Sequence, residues 1–178
     1  MISLVVNQDL ITSLPLPDGW REVPVPDQGF ALATIREFRP ANAVNDNVSL
    51  CLFNRGLAID LSDEDAAESF ARLLTESPHD LAPTEIDACE AILGESADPE
   101  RFSIAIAKTE LLNGRIVLIV EGSWITSQTD MLRVYADIQG DGRFVQEISF
   151  TAPSAAFQLL RAEIVECFKA ISWKTASQ

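Results

Sequence analysis

Histidine is almost missing from this chain: one, His79, in 178 residues. A Ser/His/Asp or Cys/His catalytic device would have to use it, and neither a GxSxG elbow nor a papain-like flank is present. His79 sits in Ser77-Pro78-His79-Asp80, a turn by composition, and reads as a solvated loop residue. Cysteine is scarce as well. Cys51, Cys89 and Cys167 lie far apart, with no CxxC, and an odd count excludes a closed disulfide framework. With His79 they make four scattered candidate ligands, a poor set for zinc, so no metal and no cofactor are expected. Cys51 lies in an alternating apolar run and Cys167 in a helical pattern; all three thiols are expected to be unpaired and structural, in a reducing compartment.

Long apolar runs are also lacking. The longest aliphatic stretch is Ile116 to Val120, closed by Arg115 and Glu121, whereas a spanning helix needs ~20 apolar residues. The start of the chain has no basic n-region, and Asp9, Pro15 and Pro17 interrupt any hydrophobic one. The expectation is a cytoplasmic protein without membrane insertion. Bases are few: 13 against 27 acids, for a net charge of −14. Such a chain is repelled by phosphate backbones, so nucleic acid is not an expected partner. Gly140-x-Gly142 lacks the following helix and lysine of a phosphate cradle.

What remains is an ordinary globular balance, 47 % hydrophobic, with no internal repeat and no dividing linker. One domain over 1–178 is expected, with a core from about 14 to 173. Pro15, Pro17, Asp18-Gly19, Pro24 and Pro26 make an irregular segment around Trp20, which plugs one edge of the core. Phe30 to Phe38 reads as a strand, Asn42 to Asn47 as a loop, and Val48 to Phe53 as a second strand, with Val48, Leu50 and Leu52 on one face. Ser62 is the expected cap of a first helix, with Asp65 answering it, and Pro78 its end. Ala66, Ala67, Phe70, Leu73 and Leu74 give that helix a buried stripe. Pro83 to Gly94 fits a shorter one.

The following block alternates. Phe102 to Leu112, Arg115 to Trp124, Met131 to Gln139 and Phe144 to Phe150 read as four strands of an antiparallel meander, with Asn113-Gly114 a type I′ hairpin turn. Val117, Leu118, Ile119 and Val120 place apolar residues on both faces of the second. After Pro153 the period changes, and Phe157, Leu160, Ile164, Cys167, Phe168 and Ile171 mark a closing helix. Trp173 follows, and Thr175 to Gln178 reads as a frayed end.

The run Leu112-Asn113-Gly114-Arg115, the strand from Met131 to Gln139, Glu147-Ile148-Ser149-Phe150-Thr151-Ala152-Pro153 and the helix before Trp173 together resemble the PsbP-like superfamily. Leu16-Pro17-Asp18-Gly19-Trp20 resembles the proline-and-tryptophan segment of the same group. That superfamily includes the extrinsic oxygen-evolving P-subunit, DcrB-like bacterial proteins, the Ran-binding nuclear import factor and the Eag effector chaperones. The resemblance implies an α+β fold, an antiparallel sheet flanked by helices as an α/β/α sandwich, and protein binding rather than catalysis.

Acidity is concentrated. Asp60 to Glu100 holds thirteen acids and one base, Arg72, a net −12. That segment is either a solvated helical face or a docking surface for a basic protein partner, with Asp63, Glu64 and Glu68 the candidate contact residues. The expected function is a non-enzymatic adaptor or chaperone-like role. A small-ligand pocket between sheet and helix is one alternative. An enzyme using carboxylates such as Glu110, Glu121 and Glu147 is another. Asp137, Asp141 and Asp63 to Asp65 lack the spacing of a calcium loop.

Overall fold

The computed structural model describes residues 2–8, 10–25, 33–41 and 47–174. Along the chain it forms β1 (Ile2–Gln8), β2 (Ile11–Leu16), β3 (Trp20–Val23), β4 (Ala33–Pro40), β5 (Ser49–Leu57), α1 (Glu64–Leu73), α2 (Pro83–Ala88) and α3 (Glu90–Leu93). A single 3₁₀ turn, Gly94–Ala97, leads to β6 (Phe102–Leu112), β7 (Arg115–Trp124), β8 (Thr129–Asp137), β9 (Phe144–Pro153), α4 (Ser154–Lys169) and β10 (Ser172–Trp173).

The meander forms as the alternation requires. Asn113 and Gly114 take φ of 46° and 90°, as a type I′ turn demands, and set Leu112 opposite Arg115. The seven-stranded sheet runs β3-β4-β5-β9-β8-β7-β6, every neighbouring pair antiparallel. A smaller sheet, β1-β2-β10, joins Ser13 to Ser172 and Ile11 to Trp173. Val117 and Ile119 of β7 face a core shared with α4 and β2; Leu118 and Val120 face a second core under α1 and α3. Strand β7 is therefore covered on both sides, and the architecture is the expected α+β sandwich. Val48, Leu50 and Leu52 share one buried face, and Trp20 is buried against Phe150, ring centroids 6.3 Å apart.

Several boundaries differ from the sequence reading. Asp63, not Ser62, caps α1: its Oδ1 accepts the Ala66 N–H at 3.1 Å. Ser62 is taken by Asp60 Oδ1, which accepts both its N–H and its hydroxyl. The helix stops at Leu73, well before Pro78, because the Thr75 hydroxyl turns back onto the Arg72 carbonyl. Strand β8 ends at Asp137, whose carboxylate collects the N–H groups of Gln139, Gly140 and Gly142. Pro153 closes β9 as the N-cap of α4, one residue before the first helical turn. The β1–β2 hairpin was not expected. Of the Phe30 to Phe38 strand, residues 30–32 lie outside the described residues, as do 42–46 of the expected loop and the 175–178 end.

Candidate functional site

Helix α1 lays Ala67, Phe70 and Leu73 onto the sheet and turns its acids outward. Beside it, α2 and α3 pack Cys89, Ile92 and Leu93 into the same core. Between α1 and the α2–α3 pair runs a shallow groove of about 630 Å³. Its floor is small: Ala66, Ser69, Ala88, Ala91 and Gly94. Its walls carry Asp63, Asp65, Asp87 and Glu90, and no base lines it. Of the three candidate contact residues, Asp63 lies in the groove, fixed by its capping bond. Glu64 and Glu68 are exposed but do not line it. Asp65, Asp87 and Glu90 were missed as contact residues. The signal available was the small-residue spacing Ala66–Ser69 and Ala88–Ala91, which marks where two helices leave a gap.

At the other end of this helical layer the structure assembles a group that sequence reading did not. Glu76 after α1, His79 in the following turn and Glu85 in α2 bring one ligand atom each within 4.8 Å of one another. The backbone fixes two of the three. His79 Nδ1 lies 2.8 Å from the Ser77 carbonyl, which accepts its proton. Glu85 Oε2 accepts the Ala82 N–H at 2.7 Å, leaving Oε1 3.1 Å from His79 Nε2. The Ser77 carbonyl, then Glu85, holds the imidazole pKa above its ordinary value. The Ala82 N–H, then His79, holds the Glu85 carboxyl below its own. His79 is anchored in turn on the edge of β6. Its N–H donates to Thr109 Oγ1, the Thr109 N–H donates to its carbonyl, and the Leu81 N–H donates to Ala107. Glu76 and Glu85 open onto a cleft of about 260 Å³ that also holds Arg72, Thr84 and Cys89.

A third opening, about 160 Å³, lies between the sheet and α4, where a small-ligand pocket was anticipated. Ile119, Leu132, Val165 and Phe168 give it an apolar floor, and Glu110 and Glu121 reach it. Ligand pockets usually need ~300–1,000 Å³, and here Arg161 lies across the opening on Glu121. The three candidate acid/base carboxylates are not brought together. Glu110 pairs with Lys108 at 2.6 Å, Glu121 with Arg161, and Glu147 lies on the opposite face near Arg133, 3.7 Å away. Each faces a cation rather than another of the three carboxylates.

Arg133 is the one strongly buried cation among the described residues that sequence reading did not single out. It donates to the Ser96 hydroxyl, to the Tyr135 hydroxyl at 3.0 Å and to Met131 Sδ, and it stacks near the Phe102 and Trp124 rings. These contacts hold the 3₁₀ turn onto the sheet. The turn acids have backbone tasks: Asp137 is described above, and Asp141 accepts the Arg143 N–H. The cysteines are all free. Burial raises Cys89 to about 12 and Cys167 to about 11. Burial, then the nearby Glu37 carboxylate, raises the half-buried Cys51 to about 11.

No protein-family model matches the sequence, and no curated protein sequence matches it. Among solved structures the chain is similar to the solution structure of cyanobacterial PsbP (CyanoP) from Synechocystis sp. PCC 6803. The TM-score is 0.54 and the identity 10 %, over 91 % of this chain and 86 % of that one. The fold is PsbP-like, an antiparallel sheet with helices on its faces. Among the described residues, no helix is long and apolar enough to cross a membrane.

Proposed function

We propose that this chain is a non-enzymatic protein-binding module, adaptor- or chaperone-like, whose α1/α2–α3 groove takes a basic segment of a partner protein. The observation that carries the reading is the groove itself: four carboxylates on its walls, a floor of small side chains and no base. A basic segment can approach closely over Ala66, Ala88, Ala91 and Gly94 while its Lys or Arg side chains reach the walls. Such charges act mainly on encounter rate and are screened over ~8 Å at physiological salt. Three unpaired thiols support a reducing compartment, the cytoplasm being the simplest.

The test is capture from native lysate with two neutralised variants. One carries Asp63→Asn, Asp65→Asn, Asp87→Asn and Glu90→Gln; Asn keeps the cap of α1. The other carries Glu64→Gln and Glu68→Gln. The groove variant is expected to lose salt-sensitive partners that the flank variant retains. Equal capture by both and by wild type would refute the reading.

A further inference from the structure

We propose that Glu76, His79 and Glu85 form a binding site for one divalent transition cation of the zinc type, with an open coordination position facing the cleft between α1 and α2. The donor set is one imidazole nitrogen and two carboxylate oxygens, all hard-to-borderline ligands suited to Zn²⁺. Two carboxylates neutralise the ion's charge, so binding buries no net charge at the surface.

The orientation of the donors favours the same assignment. The Ser77 carbonyl takes the Nδ1 proton, so Nε2 is the ring nitrogen left to bind an ion once its own proton is displaced. That carbonyl is the outer partner that metal-bound histidines ordinarily have. Glu85 is likewise steered by Ala82, and its other oxygen stands 3.1 Å from Nε2, a ring hydrogen bond in the metal-free protein that an ion would replace by displacing the Nε2 proton. Two donors of a tetrahedral zinc, each about 2.0–2.1 Å from the ion, stand roughly 3.3 Å apart. The His79–Glu85 edge is thus already at coordination spacing. Glu76 is exposed, and its pair with Arg72 is long at 3.9 Å, so its carboxylate can close the remaining gap. Glu76 and Glu85 line the cleft, so the fourth position opens on a space large enough for water or a small anion, beside the Arg72 guanidinium. The ion would tie the end of α1 to α2 and, through the His79 backbone, to the edge of β6.

Zinc alone is the probe. Metal-stripped full-length protein is titrated with ZnCl₂ by calorimetry and melted with and without the ion. The expected result is one saturable site and a higher melting temperature, reversed by chelator. His79→Ala is expected to abolish the saturable phase, and Glu85→Gln and Glu76→Gln to weaken it roughly tenfold or more. Gln at 85 still accepts the Ala82 N–H, and Glu76 is exposed, so these two variants keep the fold if His79→Ala does not. Glu64→Gln/Glu68→Gln removes two negative charges elsewhere, more than either single Gln variant, and is expected to leave the site intact. Co²⁺ gives a second readout: visible d–d bands in wild type, absent from His79→Ala. Zinc binding of equal strength in wild type and the three site variants, or no saturable site in wild type, would overturn the proposal.

Discussion

Arg161 of α4 sets its Nε 2.8 and 2.9 Å from the two carboxylate oxygens of Glu121 on β7, and its Nη2 2.8 Å from one of them. A surface helix is thereby pinned to β7, the strand next to the β6 edge, by charge as well as by its apolar stripe. Arg161 remains 37 % exposed, Glu121 14 %. Glu121→Ala is expected to cost about 1 kcal/mol rather than the several of a fully desolvated pair. The urea midpoint should fall with an unchanged slope, and added salt should shrink the difference between variant and wild type.

Two glycines of one turn separate conformational strain from collision. Gly140 and Gly142 both have positive φ, 82° and 78°. A Cβ on Gly140 meets nothing, but on Gly142 it falls 2.0 Å from the Ala67 carbonyl oxygen, where α1 rests on the turn. Gly140→Ala is expected to cost about 1–2 kcal/mol. Gly142→Ala adds a backbone clash and is expected to cost more than about 3 kcal/mol. Thermal melts of the pair would check the ranking; equal losses would mean that α1 yields freely.

Phe157 is 1 % exposed and stacks on Phe150 at 5.2 Å and 20°. Leu159, two residues on, is 84 % exposed. Phe157→Ala is therefore expected to cost about 3–5 kcal/mol, and Leu159→Ala to stay within about 0.5. Chemical denaturation reads both, and similar values for the two would reverse the assigned face of α4.

The thiols should be slow. With Cys89 raised to about 12, the thiolate fraction at pH 8 is about 10⁻⁴. Native protein is expected to react sluggishly with a disulfide reagent, Cys51 first because it is half-exposed, and all three at once after unfolding in urea. A fast native phase at Cys89 or Cys167 would contradict their burial.

Local signals made much of this fold legible. The Asn113-Gly114 turn and unbroken alternation located β6 and β7 to the residue, and the three-to-four spacing from Phe157 located α4, although Ile171, read as part of its stripe, lies just past the helix end at Lys169. The β1–β2 hairpin was illegible because Gln8 to Ile11 carries no Gly, Pro or Asn-Gly cue, and its third strand comes from the far end of the chain. The cap of α1 was placed one residue early because Ser62 and Asp63 are equally good caps in isolation; Asp60 decides between them. The acidic groove was visible as charge but not as shape, since which acids face it depends on how α2 lies against α1. The Glu76–His79–Glu85 group was invisible to a count of histidines and cysteines. Two of its ligands are carboxylates, and a strand-edge contact with β6 folds the intervening turn.

The small sheet has a consequence for the order of events during synthesis. Its pairs Ile11–Trp173 and Ser13–Ser172 join residues about as distant along the chain as the fold permits, and Trp173 also donates to the Leu112 carbonyl. A ribosome therefore releases the whole meander before β2 can meet its C-terminal neighbour. Until then, one edge of β2 lacks the pairing that Ser172 and Trp173 supply. A nascent chain stalled before Ser172 would present that edge to whatever strand it met first.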